Sequence, residues 1–410
     1  MLKLAAIGLG SRASHVIHAM KQIAPDLHIT AIADPNDEAV MHRLAQFDPR
    51  LDSDDMEFYA EADELIEHAD AFDGVIIGTH CNLHTPMACK VAPTGLPLFL
   101  EKPVAVTPDQ LSQLADAFRG REQSVLISFP LAATPLFKAV HEIVRSGRLG
   151  TINQIQANCN VSYGGCYYGQ WYREYDEVGG LWLQKATHDF DYLTRLIDRR
   201  PLMIAATTSQ MIYGGDMPHN LKCSQCDKAQ TCIESHVNHV KAGVNPSMCK
   251  TADDPDHWCC FSEEIKNQDA GSALIMYEGG AHVVYAQNFV SRRGAGKRGA
   301  VITGHNASLE FDWVTEKIIV HDHFAVRDDV IDIKATSGHA GGDHVLAENF
   351  INIMRGRGSA MCDLTDGIRS VTMCLAARQS AYDRQFVPIV PPGVDAQSLP
   401  QPVLASEVPV

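Results

Sequence analysis

What most restricts the fold of this chain is how it begins. The apolar run Leu2 to Ile7 (LKLAAI) stops at Gly8-Leu9-Gly10-Ser11-Arg12-Ala13, and a helical stretch follows through Lys21. A second run, His28 to Ala33 (HITAIA), stops at Asp34-Pro35-Asn36 and leads into helical spacing over Asn36 to Gln46. Strands at Asp73 to Gly78, Leu96 to Leu100 and Ser124 to Phe129 continue the alternation, with helices from about His84 and over Pro108 to Phe118. Strands alternating with helices of this length predict βαβ units and a parallel sheet.

Small residues stand where such a sheet needs them to hold a dinucleotide. Gly8 permits the tight turn, Gly10 lets the backbone approach a pyrophosphate, and Ala13 allows close packing of helix on strand. The helix start at Ser11 and Arg12 offers N–H groups to phosphates. Asp34 ends the next strand, where a carboxylate accepts from both ribose hydroxyls and repels a 2′-phosphate. NAD is therefore expected over NADP. Arg12 argues the other way, because it is long enough to reach a 2′-phosphate. The plain alternative is a glycine turn with an aspartate cap.

At 410 residues the chain exceeds what one core usually holds, so two domains are expected. A net charge of -16 argues against a nucleic-acid partner, which requires clustered Lys and Arg. The one basic cluster, Ser291 to Arg298 (SRRGAGKR), is short and Gly-rich, and reads as a solvated hairpin loop. No apolar run approaches the roughly 20 residues that cross a bilayer. The N-terminus reads as a first strand rather than a signal peptide, which places the protein in the cytoplasm with no membrane partner.

Leu96 to Leu100 runs into Glu101-Lys102-Pro103. That doublet lies at the carboxyl end of a parallel strand, the edge where ligands bind in open α/β sheets. Pro103 lacks a backbone donor and forces a turn that fixes where the lysine points, and a cis bond before it fits such a turn. Neighbouring residues face opposite sides, so Glu101 and Lys102 have different tasks.

Gly8-Leu9-Gly10, Asp34, Thr79 with His84, and Glu101-Lys102-Pro103 resemble the glucose–fructose oxidoreductase / inositol dehydrogenase family. Gly179-Gly180, His188 and Asp191 resemble that family's helix motif, and Gly338-His339-Ala340-Gly341-Gly342-Asp343 a late turn. The likeness covers about residues 1–215 and 260–390. It implies an α/β fold: a Rossmann NAD-binding domain over 1–130, then an α+β domain over 131–395 with a large, open, mostly antiparallel sheet. The runs Ala273 to Glu278 and Ala281 to Phe289, joined by Gly279-Gly280, read independently as a hairpin of such a sheet. The resemblance further implies oxidation or reduction of a sugar, polyol or related small molecule. It places Thr79, His84, Glu101 and Lys102 around the cofactor and His339 near the substrate cleft.

Oxidising a secondary alcohol needs a hydride acceptor and a base for the hydroxyl proton. A lysine serves only if its pKa falls from about 10.4 toward neutrality, and three units correspond to ~4 kcal/mol, within reach of burial plus a nearby cation. In Gly179 to Asp191 (GGLWLQKATHDFD), helical spacing puts Lys185, His188 and Asp191 on one face with Gln184 nearby. An aspartate usually stands at the Gln184 position in the dehydrogenases this chain resembles. Glutamine cannot take a proton, and Lys185 adds a cation. Lys102 and His188 are expected to divide the acid–base work, with Lys185 lowering the pKa of Lys102 or gripping an anionic substrate. A core histidine capped by Asp191 beside a surface lysine is the bland alternative.

The stretch Tyr163 to Arg173 (YGGCYYGQWYR) is dense in aromatics. Tyr168 suits a sugar's C–H face and Arg173 a carboxylate or hydroxyls, unless these rings only cover the core. An insert over about 216–261 carries Cys223-Ser224-Gln225-Cys226, Cys232, Cys249 and Cys259-Cys260. Its C-x2-C turn and sparse apolar residues predict a structural zinc on Cys223, Cys226, Cys232 and one of Cys260, Cys259 or Cys249. An iron–sulfur cluster and free thiols are the lesser expectations.

The leading expectation is an NAD-dependent dehydrogenase acting on a sugar, sugar acid or cyclitol. A glycosidase or lyase that retains NAD and oxidises its sugar transiently is a second, given Gln184, and a non-catalytic NAD-binding sensor a third. An open sheet face exposes a large apolar patch unless another subunit covers it, so a homodimer or homotetramer is expected.

Overall fold

The computed structural model describes residues 1–47, 56–243, 254, 256–334 and 339–398. The first sheet is parallel and contains β1 (Leu2–Leu9), β2 (Leu27–Ala33), β3 (Glu57–Tyr59), β4 (Gly74–Gly78), β5 (Leu98–Leu100) and β6 (Val125–Ile127), in the order β3-β2-β1-β4-β5-β6. The strand order reverses beside β1, and that switch point opens a crevice at the carboxyl edge. Near-complete burial of β1, β4, β5 and β6 explains why they read as continuous apolar runs instead of alternating ones. β3 has no counterpart among the predicted strands.

Local chemistry sets the helix ends. The helix Pro108–Ala117 begins with Thr107 accepting from the Gln110 amide and Pro108 at the first position, where its missing donor costs nothing. Asp363 and Asp366 form a reciprocal capping box for the helix Leu364–Asp383, which stops at Arg384 in the left-handed conformation.

The second sheet is mixed and mostly antiparallel. It contains β7 (Ile152–Asn160), β8 (Pro201–Ser209), β9 (Ala270–Tyr277), β10 (His282–Asn288), β11 (Lys297–Gly304), β12 (Ala307–Asp312), β13 (Lys317–Asp322), β14 (Asp328–Asp332) and β15 (Val387–Pro388). Among the described residues these run in the order β14-β13-β12-β11-β7-β10-β9-β8-β15. The hairpin read at Gly279-Gly280 is β9–β10, and both glycines have positive φ. β10 and β7 are the parallel pair. Ile155, Ala157 and Cys159 on β7 point into the core beneath the helix Thr187–Ile197. The opposite face of β7 carries Gln154, Gln156, Asn158 and Asn160, with Val284, Leu274 and Met276 on the neighbouring strands. That face is therefore half polar, not the large apolar patch expected.

The two units are less sequential than the predicted boundary at 130. The helix Gly342–Met354 returns to cover the first sheet. Phe350 meets Phe99 edge-on at 5.6 Å, and Met354 lies so close over Gly74 that a Cβ there would come within 2.8 Å of it. The amide of Ile127 likewise donates to Cys362. One face of β4 and β5 needs an apolar cover, and the chain supplies it from its far end.

The basic loop is solvated only at its tip, Arg293 to Ala295. Arg292 pairs with Glu234 at 2.9 Å, and Arg298 reaches the buried Asp189 at 2.9 Å.

Candidate active site

The glycine turn follows β1 and sits against the end of β4. Gly8 has a φ of 70°, and a Cβ there would lie 2.4 Å from the Thr79 side chain, so only glycine fits. The helix Ser11–Ile23 begins at Gly10 with no side-chain cap. Asp34 at the end of β2 accepts from the Leu9 amide at 3.0 Å and from the Asn36 amide at 3.0 Å. Its carboxylate thus faces the turn, as ribose binding requires.

Arg12 does not extend toward Asp34. Its guanidinium grips Asp343 in a two-pronged pair at 2.8 and 3.0 Å, meets His339 Nδ1 at 3.1 Å and lies 3.7 Å from Glu101. Burial by itself would push the Asp343 carboxyl up, yet bonds from His339 and Arg12 outweigh it and hold it well below the usual carboxylate range. The glycine turn, the Glu101 strand end and the late turn are thereby tied together. Arg12 committed in this way is poorly placed to receive a 2′-phosphate. Gly338 lies outside the described residues.

Glu101 is 5% exposed, and its amide donates to Ile77. The Lys102–Pro103 bond is cis. Lys102 turns to the other side from Glu101, where Nζ donates to the Gln184 carbonyl at 2.9 Å and approaches its Oε1 at 3.4 Å. Burial lowers the ammonium to about 8, with Lys185 and Arg12 pushing the same way and Cys81 and Glu101 opposing. His84, expected beside the cofactor, is instead 1% exposed and contacts the carbonyls of Pro103 at 2.7 Å and Thr79 at 3.1 Å. It braces the lysine turn against the loop after β4.

The 179–191 segment departs from a regular helix. Trp182–Ala186 form one π-helical turn before the α-helix Thr187–Ile197. The wider turn shifts the residues before it relative to those after, a feature that recurs at functional sites. Gln184 and Lys185 are buried with their heads toward Lys102 and Tyr163, while His188 keeps partial exposure under Phe129 at 5.9 Å. Burial first, then the cations Lys102, Arg298 and Lys185, push His188 far below its ordinary value, so it is neutral. Its Nδ1 is buried with no partner among the described residues. Asp191 does not cap it. That carboxylate pairs with Arg195 at 3.0 Å, one turn further along the same helix.

Lys102, Gln184, Lys185 and His188 therefore converge, with Arg12, Glu101 and His339 adjoining. Tyr168 and Arg173 do not join them. Tyr168 is 0% exposed, stacks on Tyr213 at 3.9 Å and donates to the Gln268 carbonyl. Arg173, 2% exposed, faces His219 at 2.9 Å and the Trp258 ring. Both anchor the cysteine-containing insert instead of lining the pocket.

Within that insert, no group of three or more His, Cys, Asp or Glu side chains gathers to hold a metal among the described residues, so the set Cys223, Cys226, Cys232 and Cys260 forms no ligand cage. Cys249 lies outside the described residues. Backbone bonds hold the segment: Trp258 to Gly169 and Cys259 to Leu221, each at 2.9 Å. Three pocket residues escaped the sequence reading. Cys81 accepts from Gln184 Nε2 at 2.7 Å, its thiol pushed up to about 11 by burial. Tyr163 meets Lys185, and Tyr172 lies near Arg12 and Glu101. Only the two tyrosines carried a signal, the local density of aromatics.

Residues 2–129 match the GFO/IDH/MocA model described as an oxidoreductase family with an NAD-binding Rossmann fold, and residues 137–310 match the GFO/IDH/MocA C-terminal domain. The chain is 25% identical over 383 residues to YteT of Bacillus subtilis, covering 85% of this chain and 88% of that one. The inositol 2-dehydrogenase of Rhizobium meliloti is 23% identical over 155 residues, 36% of this chain and 44% of that protein. Levoglucosan dehydrogenase in complex with NADH and levoglucosan superposes with a TM-score of 0.72 at 16% identity, covering 95% of this chain and 99% of that one. Its complex with NADH and L-sorbose gives 0.73 at the same identity and coverage. No helix of the described residues is long and apolar enough to cross a membrane.

Proposed function

Because the chain belongs to the GFO/IDH/MocA oxidoreductase family, we propose that it moves a hydride between NAD and a carbon of a sugar, sugar acid or cyclitol, with Lys102 and His188 as the acid–base pair. The observation that carries this is Lys102 itself, a half-buried amine at the carboxyl edge of the first sheet, lowered to about 8 and hydrogen-bonded to the turn that bears Gln184 and Lys185. When bound, NAD supplies the hydride acceptor, and its charged ring lowers Lys102 further. Asp34 holds the ribose, and the turn at Gly8 and Gly10 receives the pyrophosphate.

In the oxidative direction Lys102 accepts the hydroxyl proton, and neutral His188 holds or passes it through its partnerless Nδ1 side. Gln184 cannot exchange a proton, and it bridges Lys102 and Cys81 instead. The similarity to inositol 2-dehydrogenase and to proteins solved with NADH, levoglucosan and L-sorbose supports a polyhydroxylated substrate. A homodimer or homotetramer through the outer face of the second sheet fits its mixture of Gln and Asn with Val284, Leu274 and Met276.

The test is NADH absorbance on mixing protein and NAD with a panel of sugars, sugar acids and cyclitols. Stoichiometric NADH supports the proposal. Product cleavage without net NADH replaces it with the retained-NAD glycosidase or lyase, and tight NAD binding with neither leaves a sensor.

A further inference from the structure

Lowering Lys102 does not account for how one further charge in the pocket is held. Lys185 is 4% exposed, yet its single hydrogen-bond partner among the described residues is the hydroxyl of Tyr163, and Nζ stands 4.7 Å from that ring's centroid. A buried ammonium is costly unless an anion faces it, and a phenol is neutral. The surrounding guanidiniums are matched: Arg298 by Asp189 at 2.9 Å, and Arg12 by Asp343 at 2.8 Å with Glu101 at 3.7 Å. Gln184, the neighbouring residue, brings no charge. Lys102 is a second cation in the same space, with its Nζ bonded to the turn that carries Lys185.

The arrangement is built, not incidental. The π-turn holds Lys185 against Tyr163, and Gly164 lets the Tyr163 segment lie directly on the end of β10, where a Cβ would meet the Phe289 carbonyl oxygen at 1.9 Å. Tyr163 is only partly buried, so an incoming group can reach the pair. Phosphate groups are usually held by free guanidiniums, and here both nearby arginines are occupied. A single ammonium beside a hydroxyl suits a carboxylate. We infer that Lys185 and Tyr163 recognise a substrate carboxylate, which narrows the substrate class to sugar acids such as uronates and aldonates. This rests on the oxidoreductase reading above.

Calorimetric titration of the NADH-loaded protein with D-glucuronate, D-galacturonate, D-glucose and D-glucose 6-phosphate tests it. The acids should bind at least about ten-fold tighter than glucose, the effect of one added charge-assisted contact. Lys185→Met should bring the ratio of acid to glucose affinity down to about one, and Lys185→Arg should retain the preference. Glucose binding as tightly as the acids, glucose 6-phosphate binding tightest, or a preference that survives Lys185→Met overturns the inference. NADH formation is read separately. Acid binding that depends on Lys185 without any NADH produced sinks the redox proposal and leaves the carboxylate site standing. NADH formed only from neutral sugars does the reverse.

Discussion

Cutting the Arg12–Asp343 pair should loosen a joint that connects residues 331 positions apart. The guanidinium gives two N–H groups to one carboxylate at 2.8 and 3.0 Å, with Asp343 largely buried. Unit charges centred ~4 Å apart interact by about 4 kcal/mol at an effective dielectric of about 20. Some of that survives either deletion. In Arg12→Met, His339 still faces Asp343 at 2.8 Å, and in Asp343→Leu, Glu101 still faces Arg12 at 3.7 Å. Halving the Coulomb figure gives a coupling of about 2 kcal/mol between the two positions. The assay is a double-mutant cycle on urea unfolding, with NADH affinity measured on the same four proteins. Each single variant should lose stability and bind NADH more weakly, and the double variant should be less damaged than the sum. Single effects that add to within about 0.5 kcal/mol would refute the reasoning. Acid should mimic the cut. The folded carboxyl lies below its unfolded value of about 3.9, so its contribution is present above that pH and disappears as pH falls through the folded value.

Further outcomes follow from the same geometry. Oxidation requires the neutral amine of Lys102, so its rate should rise with pH through about 8 in the free enzyme and reduction should fall over the same range; Lys102→Met should remove both limbs, and a profile flat across that region contradicts the assignment. His188→Ala should lower kcat by about 100-fold, the usual contribution of one acid–base group, with NADH affinity little altered. Gly8→Ala should weaken NADH binding and lower Tm, because its Cβ would overlap the Thr79 side chain at positive φ, a strain of about 1–3 kcal/mol. Size-exclusion chromatography with light scattering should give a dimer or tetramer, and a lysine in place of Val284 should dissociate it.

The parallel sheet was legible because its strands are buried on both faces and punctuated by glycine, proline and aspartate, signals local to each turn. Glu101-Lys102-Pro103 was legible for the same reason, since a proline after a buried strand has few other uses. The π-turn was not. One extra residue per turn leaves no mark in composition, so Lys185, His188 and Asp191 were placed on one regular helix, whereas the wider turn holds Lys185 and only His188 and Asp191 belong to the α-helix after it. Tyr168 and Arg173 misled because an aromatic-rich segment looks alike whether it lines a sugar site or anchors a neighbouring loop. The role of His84 required knowing that the Pro103 carbonyl, 19 positions on, comes within reach of its ring, which no short window contains.

The helix Gly342–Met354 has a consequence for how the protein is made. A ribosome releases β1 through β6 long before the residues that must lie over Phe99 and Gly74 have been translated. The nucleotide-binding layer thus stays open on one side for most of synthesis, and nascent chains should be prone to capture by chaperones until the last fifth emerges. For the same reason, residues 1–130 grafted into another protein would carry a bare apolar flank with them.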